Sequence, residues 1–169
     1  MRAQASVFGG EYLEDHPSDA DVTDLQMQHG DVLLLMTDGI FDNLSNQELL
    51  KLVAGRMVLS GAWTTIETDD EKKIVISDDL DQMSSSSSSS STKQETNTNT
   101  NTININQSLQ ALLASTIAGE AKRASHNPRH DGPFAKEVQR YFPGHPFRGG
   151  KVDDICVLAV VAVDENRVT

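Results

Sequence analysis

The architecture of this chain is set by the stretch Asp31-Val32-Leu33-Leu34-Leu35-Met36-Thr37-Asp38-Gly39. A continuous apolar run of this length, closed by Asp-Gly, is typical of a strand that is buried on both faces. Just upstream, Leu25 and Met27 alternate with polar neighbours, and His29-Gly30 has the composition of a turn. These signals predict a β-hairpin whose second strand is the apolar run.

A helix is predicted downstream of the Asp-Gly turn. Ser45-Asn46-Gln47-Glu48 has the form of a capping box, in which Ser45 accepts from the third helical amide and Glu48 reaches back. The helix should extend from about Asn46 to Met57. Its apolar residues, which share one stripe suited to packing on a sheet, are Leu49, Leu50, Val53 and Met57.

The composition changes between residues 62 and 106. An acidic segment is followed by eight consecutive serines, Ser84 to Ser91, and by alternating Asn and Thr from Thr96 to Asn101. Such a segment has too little apolar surface to offset the entropy of ordering it, so we predict a disordered insertion. Its removal is expected to leave folding and any metal binding unchanged.

The remaining chain predicts two helices and a strand. Helical spacing of apolar residues begins at Leu109 and should continue to about Ser125, before Pro128. A second helix should begin at Pro133 and extend to about Phe142, and the β-branched run Ile155 to Val163 predicts a buried strand. The chain is thus divided into residues 1–61, 62–106 and 107–169, and the fold class is α+β.

Charge and composition exclude several classes of function. Lys and Arg number 14 against 25 Asp and Glu, which gives a formal net charge of −11. A nucleic-acid surface is therefore not expected, and divalent cations are better partners. The lone Cys156 excludes an internal disulfide framework, and its position in an apolar strand predicts a small buried side chain. No apolar run is long enough to span a membrane.

Two aspartates stand at the ends of the two apolar strands. Asp38 closes the first strand, and Asp153 opens the last one. If these strands lie side by side and antiparallel, both carboxylates converge at one edge of the sheet, with Gly39 permitting close backbone approach. Carboxylate oxygens on rigid strands suit Mg²⁺ or Mn²⁺, with water filling the remaining positions.

Other polar residues near these motifs leave alternatives open. Asp42 and Asn43 are either a further ligand and its support or the residues that end the turn before Ser45. Arg148 and Lys151 could hold an anion such as phosphate near the metal, or could belong to a solvated basic loop.

A histidine pair is a weaker candidate. His126 and His130 are four residues apart, but Pro128 between them prevents a shared helical face, so a metal-binding pair is not expected.

The two aspartate motifs together closely resemble those of a known enzyme family. Thr37-Asp38-Gly39-Ile40-Phe41-Asp42-Asn43 and Arg148-Gly149-Gly150-Lys151-Val152-Asp153-Asp154-Ile155 resemble the last two motifs of the PPM (PP2C-type) metal-dependent serine/threonine phosphatases. Pro133-Phe134-Ala135 before the final loop adds to the likeness. Within the family the chain resembles the mitochondria-targeted branch.

The resemblance implies a β-sandwich of two antiparallel sheets with flanking helices and a metal centre at one end. It implies that Asp38 and Asp153 bind the same Mg²⁺ or Mn²⁺, that Gly39, Asn43 and Asp154 lie beside them, and that Asp42 is a weaker ligand. The implied reaction is hydrolysis of phosphoserine or phosphothreonine in a phosphoprotein by a metal-activated water. The implied subcellular location is the mitochondrion, with the cytoplasm as the alternative.

The resemblance covers about the C-terminal half of the family domain. The family's early motifs, among them the Asp-Gly-x-Gly-Gly segment that bridges two metals, are not found in the sequence. We therefore expect a partial PPM-type sandwich, an incomplete catalytic domain that is inactive in isolation. The alternative is a non-catalytic fragment or pseudophosphatase, which binds partners through its acidic, Ser-rich insertion.

Overall fold

The computed structural model describes residues 16–67, 72–85 and 108–167. These residues form helices and two small antiparallel sheets, so the α+β class predicted from the sequence is confirmed. The elements in chain order are β1 (Val32–Met36), α1 (Asp38–Phe41), α2 (Asn46–Leu59), β2 (Trp63–Glu67), β3 (Lys72–Ile76), α3 (Leu80–Ser85), α4 (Leu109–Ser125), α5 (Pro133–Tyr141) and β4 (Val157–Val161), with single 3₁₀ turns at Pro17–Asp19 and Glu165–Arg167.

The strand partner of β1 is β4 and not the segment that precedes it. β1 and β4 are antiparallel, with Val32 opposite Val161 and Met36 opposite Val157. The predicted hairpin is wrong, because residues 20–31 contain no strand and the Leu25 side chain is largely exposed. The Gly30 amide donates instead to the Ala162 carbonyl at 2.8 Å, which extends the pairing with the end of the chain.

Within the described part of the chain, one face of this sheet is covered and the other is not. Residues of β1 alternate between half-buried and exposed, and Leu35 is 52% exposed. The prediction of a strand buried on both faces is therefore wrong, because α4 packs against one side of the sheet and no described element covers the other. β4 follows the same alternation, and it is shorter than the predicted strand from Ile155 to Val163.

Cys156 lies on the exposed side, which corrects the prediction of a buried thiol. Leu158 and Val160, two and four residues further along the chain, are exposed on the same side of the sheet.

The core is formed mainly by α2 and α4, which contact each other, while α4 also contacts β4 and α2 contacts β2. The predicted capping box begins α2, since the Ser45 side chain accepts from the Glu48 amide and Glu48 reaches back. The predicted stripe is largely buried, but Leu50 is 65% exposed because it lies beside the contact with α4. The helices predicted from Leu109 and Pro133 are also confirmed as α4 and α5. The core residues on these two main helices are Leu49, Val53, Met57, Leu109, Leu113, Ile117 and Ala121.

The segment predicted to be a disordered insertion is in part folded. β2 and β3 form an antiparallel hairpin, with Trp63 opposite Ile76, and α3 follows it. Ala62 and Leu80 are fully buried, and the Trp63 indole N–H donates to the Gly30 carbonyl at 3.3 Å. The predicted boundary at residue 62 is thus too early, because a few apolar residues reach the core from an otherwise polar segment. The serine and Asn/Thr runs beyond residue 85 lie outside the described residues.

No helix among the described residues is both long and apolar enough to cross a bilayer.

Candidate metal centre

The end of β1 and the approach to β4 meet because the two strands are antiparallel. Asp38 begins α1 directly after β1, and Asp153 lies in the loop that leads into β4. Thr37 joins the two segments: its hydroxyl donates to the Asp154 carbonyl at 2.8 Å and accepts from the Cys156 amide at 2.9 Å. Sequence reasoning missed Thr37, although a threonine between an apolar strand and Asp-Gly is well placed for such a bond.

Gly39 allows this close approach. A Cβ atom placed on Gly39 would lie 2.5 Å from the Asp154 carbonyl oxygen and 3.2 Å from the Asp153 Cβ. The first distance is far shorter than any van der Waals contact permits, so the Asp153 loop can lie against α1 only because residue 39 lacks a side chain.

Three carboxylates converge where these segments meet. Asp38, Asp42 and Asp153 each offer an oxygen, and these oxygens all lie within 4.8 Å of one another. We call this group the acidic cluster. One helical turn separates Asp38 from Asp42, whose amide donates to the Asp38 carbonyl at 2.8 Å, so both side chains project from the same side of α1. The structure thus brings Asp38 and Asp153 together, and it adds Asp42 to them.

Lys151 supplies a positive charge within the acidic cluster. Its Nζ lies 2.6 Å from Asp42 Oδ2 and 2.8 Å from Asp153 Oδ2, and 4.7 Å from the centre of the Phe134 ring. Hydrogen bonds to Asp153 and Asp42 raise the pKa of Lys151 above its ordinary value. The same bond from Lys151, together with the Asp154 amide, lowers the pKa of Asp153. Lys151 is therefore a charged partner of two of the three carboxylates.

Asn43 is a structural support of the site. It is fully buried, and its Nδ2 donates to the carbonyls of Gly39 and Lys151, each at 2.8 Å. Its Oδ1 accepts the Lys151 amide at 2.9 Å. Because all these bonds are to backbone groups, Asn43 fixes the α1 turn against the loop that carries Lys151 and Asp153.

Arg148 pairs with a carboxylate outside the acidic cluster. Its guanidinium pairs with Asp131 Oδ2 at 3.0 Å, and the Asp131 carboxylate also accepts from the Gly149 amide at 2.7 Å and from the Gln139 side chain. The Gly149 hydrogen bond, followed by that from Gln139, lowers the pKa of Asp131. Sequence reasoning also missed Asp131, which holds the loop that leads to Lys151.

The other predicted residues lie beside the acidic cluster or apart from it. Asp154 contributes its backbone to the Thr37 bridge and its amide to Asp153 Oδ1, while its own side chain is not part of the cluster. His126 ends α4, and the nearest acidic partner of His130 is Glu48, at 3.8 Å. Among the described residues, the two histidines belong to no metal-ligating group of three.

The donor set of the acidic cluster fits a hard divalent cation. Oxygen ligands are those that Mg²⁺ and Mn²⁺ prefer, and the Asp38 carboxylate receives no hydrogen bond from the residues that the structure describes. The other two carboxylates, those of Asp42 and Asp153, already bind the positively charged Lys151 ammonium, which shows that the cluster attracts a cation.

Comparisons with known proteins give relatives of one kind. The chain is 28% identical over 153 residues to a protein phosphatase PTC7 homolog, fig, of Drosophila willistoni, which covers 90% of this chain and 34% of that protein. It is 25% identical over 164 residues to the mitochondrial protein phosphatase 2C homolog 7 of Saccharomyces cerevisiae, and 27% identical over 155 residues to the human protein phosphatase PTC7 homolog. These matches cover 97% and 92% of this chain and 34% and 35% of the relatives.

No protein-family model matches the chain, and no solved structure matches it. The chain spans about a third of the length of the curated relatives, in their C-terminal part. These relatives confirm the resemblance inferred from the two aspartate motifs. The chain is therefore similar to the C-terminal part of proteins named as protein phosphatase 2C or PTC7 homologs.

Proposed function

We propose that this chain is the C-terminal metal-binding portion of a PP2C-type protein serine/threonine phosphatase, acting on phosphoserine and phosphothreonine in proteins. The observation that carries the proposal is the acidic cluster. Its members come from both aspartate motifs, and their oxygens lie within 4.8 Å of one another. The relatives named as protein phosphatases match the chain across both motifs, since the matches cover at least 90% of it.

The proposed cofactor is Mg²⁺ or Mn²⁺. Asp38 and Asp153 would hold one ion together, and Asp42 would act as a weaker ligand on the same side of α1. When bound, such an ion supplies an activated water and offsets negative charge on the phosphoryl oxygens. The chain's own contribution is rigid placement, because Thr37 and Asn43 fasten the two carboxylate-bearing segments to each other.

Of Arg148 and Lys151, the two basic residues predicted to lie near the phosphate, we propose only Lys151 for that position. It lies within the acidic cluster, whereas Arg148 pairs with Asp131 and its side chain is 70% exposed.

The exposed face of the β1–β4 sheet supports the proposal of a partial PPM-type sandwich. Four large apolar residues lie together on this face. Isolated exposed apolar residues are common on protein surfaces, but a group of them on one face indicates a surface that another element covers. A second sheet packed on it would bury them at the usual spacing of about 10 Å. The residues are Leu33, Leu35, Leu158 and Val160.

We propose a mitochondrial location. The support for it is the name of the yeast relative, which is described as mitochondrial. Imaging of the tagged gene product beside a mitochondrial marker tests this, and a cytoplasmic signal would contradict it.

Titration of the full chain with MnCl₂, followed by calorimetry, tests the metal site. We expect binding that is weakened at least about tenfold by Asp38→Asn and by Asp153→Asn, since each removes a charged ligand. Asp24→Asn is the matched control, because Asp24 is an exposed aspartate outside the acidic cluster. A folded chain that binds no Mn²⁺, or binds it equally well in all variants, would contradict the proposed site.

A chimera tests catalysis. This chain replaces the matching part of the human PTC7 homolog, and phosphate release from a phosphothreonine peptide is measured with Mn²⁺. We expect release that is lost in Asp38→Asn and kept in Asp24→Asn. Metal binding without release by a chimera that folds, as judged by circular dichroism, would support the non-catalytic alternative instead.

A further inference from the structure

The position of Lys151 in the acidic cluster is that of a bound cation. Its ammonium lies 2.6 Å from Asp42 Oδ2 and 2.8 Å from Asp153 Oδ2. We infer that Lys151 is a tethered counter-ion, which holds these two carboxylates together in the metal-free chain and must withdraw from them when a divalent cation binds. Lys151 thereby lowers the metal affinity of the site. This inference rests on the proposed metal site.

Competition for oxygen atoms is the first reason. Asp153 Oδ1 already accepts the Asp154 amide at 2.9 Å, and Lys151 bonds to the other oxygen, Oδ2, so each oxygen that a metal would use already has a hydrogen-bond donor. The second reason is repulsion. An ammonium and a divalent cation bound to the same carboxylate would be only a few ångströms apart, in a partly buried setting where Coulomb energies are larger than in water.

The geometry permits the ammonium to move while the rest of the residue stays fixed. The Lys151 backbone is held at its amide and its carbonyl by Asn43, at 2.9 Å and 2.8 Å. The side chain has a flexible four-carbon stem and is 29% exposed, so its end can reach solvent without a change in the loop. The carboxylate positions would thus survive the exchange of one cation for another.

Substitution of Lys151 tests the competition. Lys151→Met keeps much of the side-chain length but removes the charge, and we expect it to lower the Kd for Mn²⁺ by about tenfold. Lys151→Arg keeps the charge and should stay within about threefold of the natural chain. Lys51→Met is the control for loss of a positive charge elsewhere, since Lys51 is exposed on α2 and is not in contact with the acidic cluster.

Two further readouts separate displacement from a merely structural role. Without metal, Lys151→Met should melt at a lower temperature than the natural chain, because its carboxylates repel one another, and saturating Mn²⁺ should raise its melting temperature more than that of the natural chain. In the natural chain, Mg²⁺ should shift the Lys151 ¹⁵Nζ resonance and speed exchange of its protons, as expected for release into water.

The outcomes distinguish this inference from the proposed function. Unchanged or weaker Mn²⁺ binding in Lys151→Met, with clear binding by the natural chain, would overturn the role of Lys151 and leave the metal site standing. Absence of Mn²⁺ binding in both folded proteins would overturn the metal site and this inference with it. Binding by Lys151→Met alone would support the inference in its strongest form.

Discussion

Asn43 and Lys151 are joined by a pair of hydrogen bonds across 108 residues of sequence, with Asn43 Oδ1 accepting the Lys151 amide and Nδ2 donating to its carbonyl. The Asn43 side chain is fully buried, and its Nδ2 also donates to Gly39. One amide group thus links the α1 turn to the last loop. The acidic cluster, whose members lie on these two segments, depends on it.

Asn43→Ala should therefore be strongly destabilising. It leaves buried backbone groups of Gly39 and Lys151 without a partner, and we expect the free energy of unfolding to fall by about 2–4 kcal/mol. Urea denaturation followed by circular dichroism measures the loss. The matched control is Asn46→Ala at the exposed start of α2, which should change stability by at most about 1 kcal/mol. Equal effects of the two variants would show that the Asn43 bonds contribute nothing.

The helices could be predicted from the sequence because their signals are local. Ser45 and Glu48 form a capping box within four residues, and Pro133 lies at the first turn of α5. The partner of β1 could not be predicted in this way. Alternation near Leu25 suggests a neighbouring strand, but pairing depends on β4, more than 100 residues away, which no local pattern encodes.

The site, like the fold, could be predicted from the sequence only in part. The convergence of Asp38 and Asp153 follows from strand ends alone, once β1 and β4 are placed side by side. The partners of Lys151 and Arg148 do not follow, since both are basic residues of one loop and only side-chain positions show that one contacts the acidic cluster and the other Asp131.

Gly39→Ala should disturb the acidic cluster. The added Cβ would lie 2.5 Å from the Asp154 carbonyl, a backbone atom that cannot move without its loop, so we expect a lower melting temperature and at least about tenfold weaker Mn²⁺ binding. Gly55→Ala on the exposed side of α2 meets no atom within 4 Å and should raise stability by about 0.5–1 kcal/mol. Unchanged metal binding in Gly39→Ala would show that this close approach is not required.

Acid should weaken the loop that precedes Lys151 through Asp131. The Gly149 amide, followed by the Gln139 side chain, lowers the pKa of Asp131, so its charged form is favoured in the folded chain. The stability that ionised Asp131 contributes to the folded chain is present above the ordinary carboxyl pKa of about 3.9. It is lost as the pH falls through the lower pKa that Asp131 has in the folded chain.

The stability difference between the natural chain and Asp131→Asn should accordingly be largest near neutral pH and shrink below about pH 4. Urea titrations between about pH 3 and about pH 7 measure it. Arg148→Met is the control, because its exposed ion pair with Asp131 contributes little. A difference that does not vary with pH would show that the Asp131 hydrogen bonds do not favour its ionised form.

Leu80 tests whether the segment after α2 is part of the domain. Composition alone predicts that residues 62–106 can be removed without effect, yet Leu80 is fully buried and α3 contacts α4. Leu80→Ala should lower the free energy of unfolding by about 2–4 kcal/mol, because it removes a core side chain and leaves a cavity.

Leu59→Ala is the matched control, since Leu59 at the end of α2 is 80% exposed and its loss should cost less than about 1 kcal/mol. Deletion of residues 62–106 should be at least as destabilising as Leu80→Ala, because it also removes Ala62 and the Trp63 bond to Gly30. Thermal melts of the three proteins measure this order. If the deletion and Leu80→Ala both melt like the natural chain, the hairpin and α3 lie on the core without stabilising it.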